Sequence, residues 1–190
     1  GLFVGGKTDS LFSNGYRYTN WSIDVPLLLL QLVVLLGITG ERRAKIWTKF
    51  TIAGLLMIWT GYIGQFYETD LTEMGPFWIW NGISWVFFLY IIYLVHKLIF
   101  KTDYEVTEKT RKTAKCIFVL FLVSWTIYPI AYLIPVVWND AWASVVRQIL
   151  FTGADISSKV LYGVMITHAL IKQSAAEGYE PAQEITDQSS

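Results

Sequence analysis

The sequence contains little cysteine and carries no net charge. The 190 residues include one cysteine, and 15 basic side chains balance 15 acidic ones, so that the formal net charge is zero. A single cysteine excludes an internal disulfide and a thiolate metal cluster. A balanced charge gives no reason to expect a nucleic-acid partner. Cys116 stands near the start of an apolar segment, and we expect it to be a small buried side chain.

Apolar residues make up 54% of the sequence, more than the roughly 45–50% that is usual in soluble domains. They are concentrated in segments of about 20 residues or more, the length needed to cross the hydrocarbon core of a bilayer. The five segments are approximately Tyr18–Ile38, Ile46–Tyr67, Pro76–Phe100, Thr113–Val137 and Ala141–Ile171. The sequence therefore predicts an all-α membrane protein, a transmembrane helix bundle in one domain.

Basic side chains are concentrated in the first and third connections between the predicted spans, whereas the second connection is acidic. They are Arg42, Arg43, Lys45 and Lys49 in the first, and Lys97, Lys101, Lys109, Arg111, Lys112 and Lys115 around the third. Because basic loops stay in the cytoplasm, we expect the chain to start on the extracellular side and to end in the cytoplasm. Residues 1–173 are predicted to form the membrane domain, and the polar residues 174–190 a disordered cytoplasmic tail.

Three ionisable residues stand well inside predicted spans, namely Asp24, Asp155 and Lys159. Charged side chains are costly in the bilayer core, so each of them indicates a functional site. Asp155 and Lys159 are four residues apart and share a helix face, where they can pair. Two interpretations stay open from the pattern alone. One is an ion pair that fixes helix register, and the other is a lysine whose amine is used covalently.

The first predicted span carries most of its polar side chains along one stripe. Residues spaced three or four apart form it: Arg17, Asn20, Trp21, Asp24, Leu28 and Gln31. Such residues lie on one helix face, which we expect to face the protein interior rather than lipid. Pro26, in the same span, predicts a local kink.

Three segments resemble helices of the microbial rhodopsins. Residues Arg17–Leu28 (RYTNWSIDVPLL) are similar to the third transmembrane helix, Trp125–Pro129 (WTIYP) to the sixth, and Asp155–Lys159 (DISSK) to the seventh. The resemblance implies that the five spans are helices three to seven of a seven-helix fold. It also implies that two helices precede residue 1, which agrees with an opening, GLFVGGKTDS, that has neither Met nor a signal-peptide pattern.

The same resemblance implies a cofactor, all-trans retinal, bound as a protonated Schiff base on Lys159. Trp21 and Trp125 would then enclose the polyene from both sides. The other pocket residues implied are Leu28, Ser84, Tyr128, Pro129 and Ser158, with Leu28 at a position that favours absorption of green light. Trp78 and Trp138, near the ends of predicted spans, are expected to be interfacial anchors.

The residues Asn20, Asp24 and Gln31 resemble the Asn-Asp-Gln set of the light-driven sodium pumps, and so do the segments Asn14–Tyr18 and Gly61–Glu68. This likeness implies an outward sodium pump in a bacterial cell membrane. Asp24 would accept the Schiff-base proton, and Asn20 with Asp155 would form a transient sodium site of oxygen ligands.

The likeness to sodium pumps also implies roles for residues nearer the two membrane surfaces. Gln31 would line the cytoplasmic entry and Arg17 would gate the outer side. Glu68 and Arg147 would lie at the ion-release region, although an ordinary boundary ion pair is an alternative for them. Thr167 departs from the pattern, because sodium pumps can have glycine there.

Two other functions stay open. The protein is an outward proton pump if protons replace sodium as the transported ion, or a photosensory receptor if it signals through a partner. An enzyme is not expected, since the sequence shows no metal cluster and no nucleophile–base arrangement. The resemblance further implies a homo-oligomer in the lipid bilayer, with a pentamer as the expected form.

Overall fold

The computed structural model of the chain describes residues 14–68, 74–100, 107–138, 140–176 and 178. These residues are helical except at the connections. The helices are α1 (Asn14–Leu35), α2 (Gly40–Gln65), α3 (Gly75–Phe100), α4 (Glu108–Val137), α5 (Ala141–Asp155), a π-helical turn (Ile156–Leu161) and α6 (Tyr162–Ala176). The last three form one continuous span, so that five helices of this part of the chain are long and apolar enough to cross a membrane. The predicted all-α bundle with five spans is confirmed.

Three helices begin earlier than the apolar pattern predicts, because their first turns are polar. α1 begins at Asn14 rather than Tyr18. α4 begins at Glu108 rather than Thr113, and the Thr107 side chain accepts a hydrogen bond from the Thr110 backbone at 3.2 Å. Such a cap satisfies a backbone donor that the helix leaves unpaired. α2 begins at Gly40 rather than Ile46. At the other end of the chain α6 continues to Ala176, three residues beyond the predicted domain boundary, and residues 177 and 179–190 lie outside the described part.

The helices pack in chain order, and α1 closes the bundle against the last span. α1 packs against α2, α4 and α6, α2 against α3, α3 against α4, and α4 against α5. Leu29, Leu32 and Val33 of α1 belong to the buried core, together with Phe50 of α2 and Ile117 of α4. The predicted polar stripe does not face the interior as a whole: Trp21 is buried, whereas Asn20 and Gln31 are exposed, because no described helix covers that part of α1.

Cys116 does not lie where the sequence suggested. Its side chain is exposed on the outside of α4, so the prediction of a buried cysteine is wrong. The helix turns Ile117 and Phe118 inward instead, because they are the larger apolar side chains of that turn. Trp78 and Trp138 are also exposed, and their role as interfacial anchors stays a prediction.

Candidate functional site

Lys159 lies in the π-helical turn between α5 and α6. A π-helical turn widens the helix locally and is rare, and it occurs most often at functional sites. The Tyr162 backbone N–H donates to the Lys159 carbonyl at the end of this turn. Sequence reasoning placed Lys159 on a regular helix and missed the turn, because no residue in ISSKVL marks it.

Two carboxylates flank the Lys159 amine. Lys159 Nζ lies 2.6 Å from Asp24 Oδ2 and 3.1 Å from Asp155 Oδ1. Asp24 comes from α1, whereas Asp155 is the last residue of α5, one turn before Lys159. The amine therefore connects two helices that are distant in sequence. All three side chains are about one-quarter exposed, at 20–27%.

Asp155 is surrounded by hydrogen-bond donors. Its Oδ2 accepts from Arg17 Nη1 at 2.6 Å, and its Oδ1 accepts from Trp21 Nε1 at 2.9 Å and from the Tyr128 hydroxyl at 2.8 Å. Together with Lys159, these donors compensate for the loss of water around a charged carboxylate. Asp155 is therefore held in place by side chains from α1, α4 and the π-helical turn.

Asp24 is held by fewer donors than Asp155. Asn20 Nδ2 donates to Asp24 Oδ2 at 2.6 Å, the same oxygen that lies 2.6 Å from Lys159 Nζ. Asn20 is exposed on α1, and no direct hydrogen bond joins it to Asp155 in the described part. The structure thus brings Asn20 to Asp24 rather than to Asp155, the partner expected for it in a sodium site.

The remaining residue of the Asn-Asp-Gln set stands apart from this cluster. Gln31 lies about two turns further along α1 than Asp24 and is exposed. Thr167 and His168, on α6, are exposed as well. None of the described His, Cys, Asp and Glu side chains forms a group of three that could hold a metal ion.

A cavity begins at Lys159 and runs between the helices. Its volume is about 100 Å³. All eight residues predicted to hold a retinal line this cavity: Lys159, Trp21, Leu28, Ser84, Trp125, Tyr128, Pro129 and Ser158. The hydroxyl groups of Ser158 and Tyr128 are hydrogen-bonded, with 3.1 Å between their oxygens.

Other residues that line the cavity were not predicted. They include Tyr18, Val25, Met57, Ile58, Gly61, Asn81, Trp85, Phe88, Tyr132 and Phe151. Asn81, Trp85 and Phe88 recur at intervals of three or four on α3 with Ser84, a periodicity that could have identified this helix face. The walls are mainly aromatic and aliphatic, which suits a flat, apolar ligand.

A chain of hydrogen bonds leads from Arg17 away from Lys159. Arg17 Nη2 donates to Gln148 Oε1 at 3.2 Å, Gln148 Nε2 to Asn14 Oδ1 at 2.7 Å, and Asn14 Nδ2 to Gln65 Oε1 at 3.2 Å. It links the first residues of α1 to the end of α2 through α5. Gln148 was missed because its predicted span gave no reason to choose it over other polar residues.

A second ion pair is buried beyond the end of α2. Arg147 Nη1 donates to both oxygens of Glu68, at 2.9 and 2.7 Å, and the two residues are 1% and 5% exposed. Burial raises the pKa of Glu68 above its ordinary value of 4.5, and the Arg147 guanidinium opposes this shift. Sequence reasoning named the two residues together, and the structure joins them.

These features define a class: a multi-pass helical membrane protein with an amine held between two carboxylates at one end of an apolar cavity. The chain belongs to the family of bacteriorhodopsin-like proteins, whose model matches residues 2–173. Members of this family bind retinal through a Schiff base to a lysine. Lys159 is the lysine that lines the cavity within the described residues, so the side chains present fit this cofactor.

Curated relatives include retinal proteins of bacteria and archaea. A green-light absorbing proteorhodopsin of a gamma-proteobacterium is 24% identical over 161 residues, which are 84% of this chain and 62% of that protein. Archaerhodopsin-2 of a Halobacterium strain is 26% identical, over 87% of this chain and 61% of that protein. The chain thus spans about three-fifths of the length of these relatives.

Solved structures show the same fold. Xanthorhodopsin, described as a light-driven ion pump with a dual chromophore, is 31% identical, with a TM-score of 0.79 over 91% of this chain and 68% of that one. The rhodopsin of Exiguobacterium sibiricum is 27% identical, with a TM-score of 0.76 over 87% of this chain and 74% of that one. The family includes light-driven ion pumps.

Proposed function

We propose that the protein is a light-driven outward sodium pump in which Lys159 carries the retinal. The observation that supports this most is the set Asn20–Asp24–Lys159, where one Asp24 oxygen lies 2.6 Å from both the lysine amine and the asparagine amide nitrogen. The retinal, when bound, supplies light absorption, a change of shape and a positive charge at the Lys159 nitrogen. The remaining chemistry belongs to the side chains of this chain.

Asp24 acts as the proton acceptor. Its carboxylate is within hydrogen-bond reach of the Lys159 nitrogen, the geometry that proton transfer requires, and it holds fewer donors than Asp155. After the transfer Asp24 is neutral and the Lys159 nitrogen has lost its charge. The proton later returns from Asp24 to the same nitrogen, which leaves no net proton movement.

The proton transfer opens the path for a cation. A positive charge at Lys159 repels a sodium ion by roughly 4 kcal/mol at about 4 Å and an effective dielectric of about 20. Transfer to Asp24 removes this barrier, and return of the proton restores it behind the ion. No separate proton donor is required on the cytoplasmic side, which agrees with an amide at Gln31, a group that cannot donate a proton at neutral pH.

The transient sodium site requires Asp155 to change partners. Carboxylate and amide oxygens suit a hard cation, but the Asp155 oxygens already bind Arg17, Trp21, Tyr128 and Lys159. We therefore expect the site to form only once the Lys159 nitrogen has lost its charge, with Asn20 supplying its amide oxygen. Glu68 and Arg147 then lie on the extracellular release side, beyond Arg17.

Replacing Asp24 by Asn tests the acceptor role. We expect light-driven sodium transport to fall at least tenfold in vesicles, measured with a sodium-sensitive dye, because the amide cannot take the proton. Glu41→Gln is the matched control, since Glu41 is a carboxylate whose side chain is 91% exposed and pairs only with Lys45 on the surface. Retained transport in Asp24→Asn would refute the mechanism.

An outward proton pump is the second candidate, and the same geometry favours it, because Asp24 accepts the Lys159 proton in either case. The two functions differ in what happens to that proton. A proton pump releases it outside, whereas a sodium pump returns it to Lys159. Outward proton pumping would be observed in cells when sodium is scarce.

A further inference from the structure

Asn81 carries a buried amide that faces the cavity. The residue is 7% exposed, lies on α3 and lines the cavity. Its side chain makes no hydrogen bond within the described residues, although an amide offers two donor hydrogens and an acceptor oxygen. Buried polar groups are nearly always paired, because an unmade hydrogen bond is costly. The amide therefore indicates a ligand atom in the cavity.

The amide lies at the end of the cavity opposite Lys159. α3 packs against α2 and α4, whereas the π-helical turn packs against α4, α5 and α6. A Cβ built on Gly64 of α2 would lie 2.6 Å from the Tyr132 hydroxyl and 3.7 Å from the backbone nitrogen of Asn81. Asn81 thus stands where α2, α3 and α4 meet, and a ligand fixed to Lys159 reaches it only with its far end.

Two other polar groups at this end are already paired. The Ser84 hydroxyl donates to the Met57 carbonyl at 2.8 Å, and the Tyr132 hydroxyl donates to the Gly61 carbonyl at 2.8 Å. The remaining α3 side chains of the lining, Trp85 and Phe88, are aromatic. Asn81 is therefore the amide here that can offer both donor hydrogens and an acceptor oxygen to a polar atom on an otherwise apolar ligand.

We propose that Asn81 forms a polar subsite that recognises a hydroxyl group on the ring of the bound retinal, so that the cavity prefers a ring-hydroxylated retinal to retinal itself. Asn81 Nδ2 donates to the hydroxyl oxygen, and Asn81 Oδ1 accepts its hydrogen. The proposal rests on the attachment of the ligand to Lys159 and is independent of which ion is transported.

The test is a competition between two retinals. The protein in its full natural length, prepared without chromophore, is incubated with equal amounts of all-trans-retinal and all-trans-3-hydroxyretinal, and the bound fraction is extracted and quantified by chromatography. We expect about fivefold enrichment of the hydroxylated compound, the factor that corresponds to about 1 kcal/mol for one neutral hydrogen bond.

Two variants at Asn81 and one control identify the residue responsible. Asn81→Leu, of similar volume, and Asn81→Ala are expected to bind both compounds in equal amounts. Tyr93→Phe, on the exposed side of α3 and outside the cavity lining, is expected to keep the enrichment. Colour formation with all-trans-retinal verifies that each variant folds.

Each outcome has one meaning. Equal binding of the two compounds by the unmodified protein refutes the subsite and indicates that water occupies the space beside Asn81. Enrichment that persists in both Asn81 variants refutes the role of this residue. Absence of any retinal bound to Lys159 refutes the attachment, and with it the proposed function.

Discussion

Asp155 receives more polar contacts than any other residue named in the candidate site. Its two oxygens bind an arginine, a tryptophan, a tyrosine and a lysine, which fixes the carboxylate in one position beside the Lys159 amine. Asp24, on the other side of that amine, has the Asn20 amide as its further partner. The two carboxylates differ in environment, as the proposed division into a proton acceptor, Asp24, and an electrostatic support, Asp155, requires.

The contribution of Tyr128 to this arrangement can be measured. Its hydroxyl contacts both Asp155 and Ser158, so Tyr128→Phe is expected to lower the free energy of unfolding by roughly 1.5–3 kcal/mol, the value of a hydrogen bond to a charged group. Tyr93→Phe is the control, since Tyr93 is 52% exposed on α3. Thermal denaturation in detergent compares the two variants, and equal melting temperatures would show that the Tyr128 bonds are unimportant for stability.

Glu68 gives the protein a specific response to pH. Because burial raises the pKa of Glu68 in the folded state above its ordinary value of 4.5, the folded protein retains this proton where the unfolded chain loses it. Stability from this group is complete below pH 4.5 and is lost as the pH rises through the higher folded value. Thermal unfolding of the wild type and of Glu68→Gln between pH 4 and 8 tests this.

In that comparison the wild type loses stability relative to Glu68→Gln as the pH rises above about 4.5. Glu68→Gln has a neutral amide at every pH and therefore supplies the baseline for this comparison. Only the difference between the two slopes of stability against pH reports on the protonation of Glu68. Parallel curves would mean that the carboxyl group does not change its protonation in this range.

Individual residues of the site were predictable because ions are rare in apolar spans. Asp24, Asp155 and Lys159 stood out as costly groups, and the structure brings all three within hydrogen-bond reach. Asn81 could have been chosen for the same reason, because it is the single amide in a very apolar helix. It was overlooked because it is uncharged. The partners of Asn20 could not be predicted, because an amide in the stripe can reach either carboxylate.

At the scale of the element, the spans were predictable and their exact bounds were not. Hydropathy detects the part of a helix that contacts lipid, so the polar first turns of α2 and α4 were taken for loops. Capping by Thr107 decides where α4 begins. The π-helical turn escaped prediction because it depends on how Lys159 and its neighbours pack between α4 and α6, and not on a residue pattern.

Close packing of α2 against α3 and α4 depends on one glycine. A Cβ at Gly64 would lie 2.6 Å from the Tyr132 hydroxyl, so Gly64→Ala must displace a rigid side chain and is expected to cost about 1–3 kcal/mol. Gly82→Ala, on α3, is the control, because no atom lies within 4 Å of its Cβ position. Thermal stability of both variants is the measurement, and a stable Gly64→Ala would show that the helices tolerate a wider spacing.

At the scale of the whole molecule, the exposed part of α1 shows that the site is open in the described helices. Asn20 and Gln31 are exposed, and the side chains of Asp24 and Lys159 are about one-quarter exposed. Curated relatives are longer than this chain, which spans about 62% of the proteorhodopsin length. We expect the protein in its full natural length to cover this face, and to bury Asp24 and Lys159 further.

The choice between sodium and protons is likewise a property of the whole molecule. The Asp24–Lys159 contact serves proton transfer in both cases, and the amides of Asn20 and Gln31 are what favour sodium in the proposed mechanism. In the proposed mechanism, a sodium pump differs from a proton pump in that a sodium ion can enter past Gln31 and leave past Arg17 and Glu68. Family membership leaves this choice open, since it establishes a light-driven ion pump family and not the ion.

The most direct test of the account is the change of external pH in cells that express the protein in its full natural length with retinal. Illumination in sodium chloride should raise the external pH, because outward sodium transport drives protons inward through the membrane. The rise should grow when a protonophore is added and should disappear when potassium replaces sodium. Acidification that the protonophore abolishes would contradict the account and establish a proton pump.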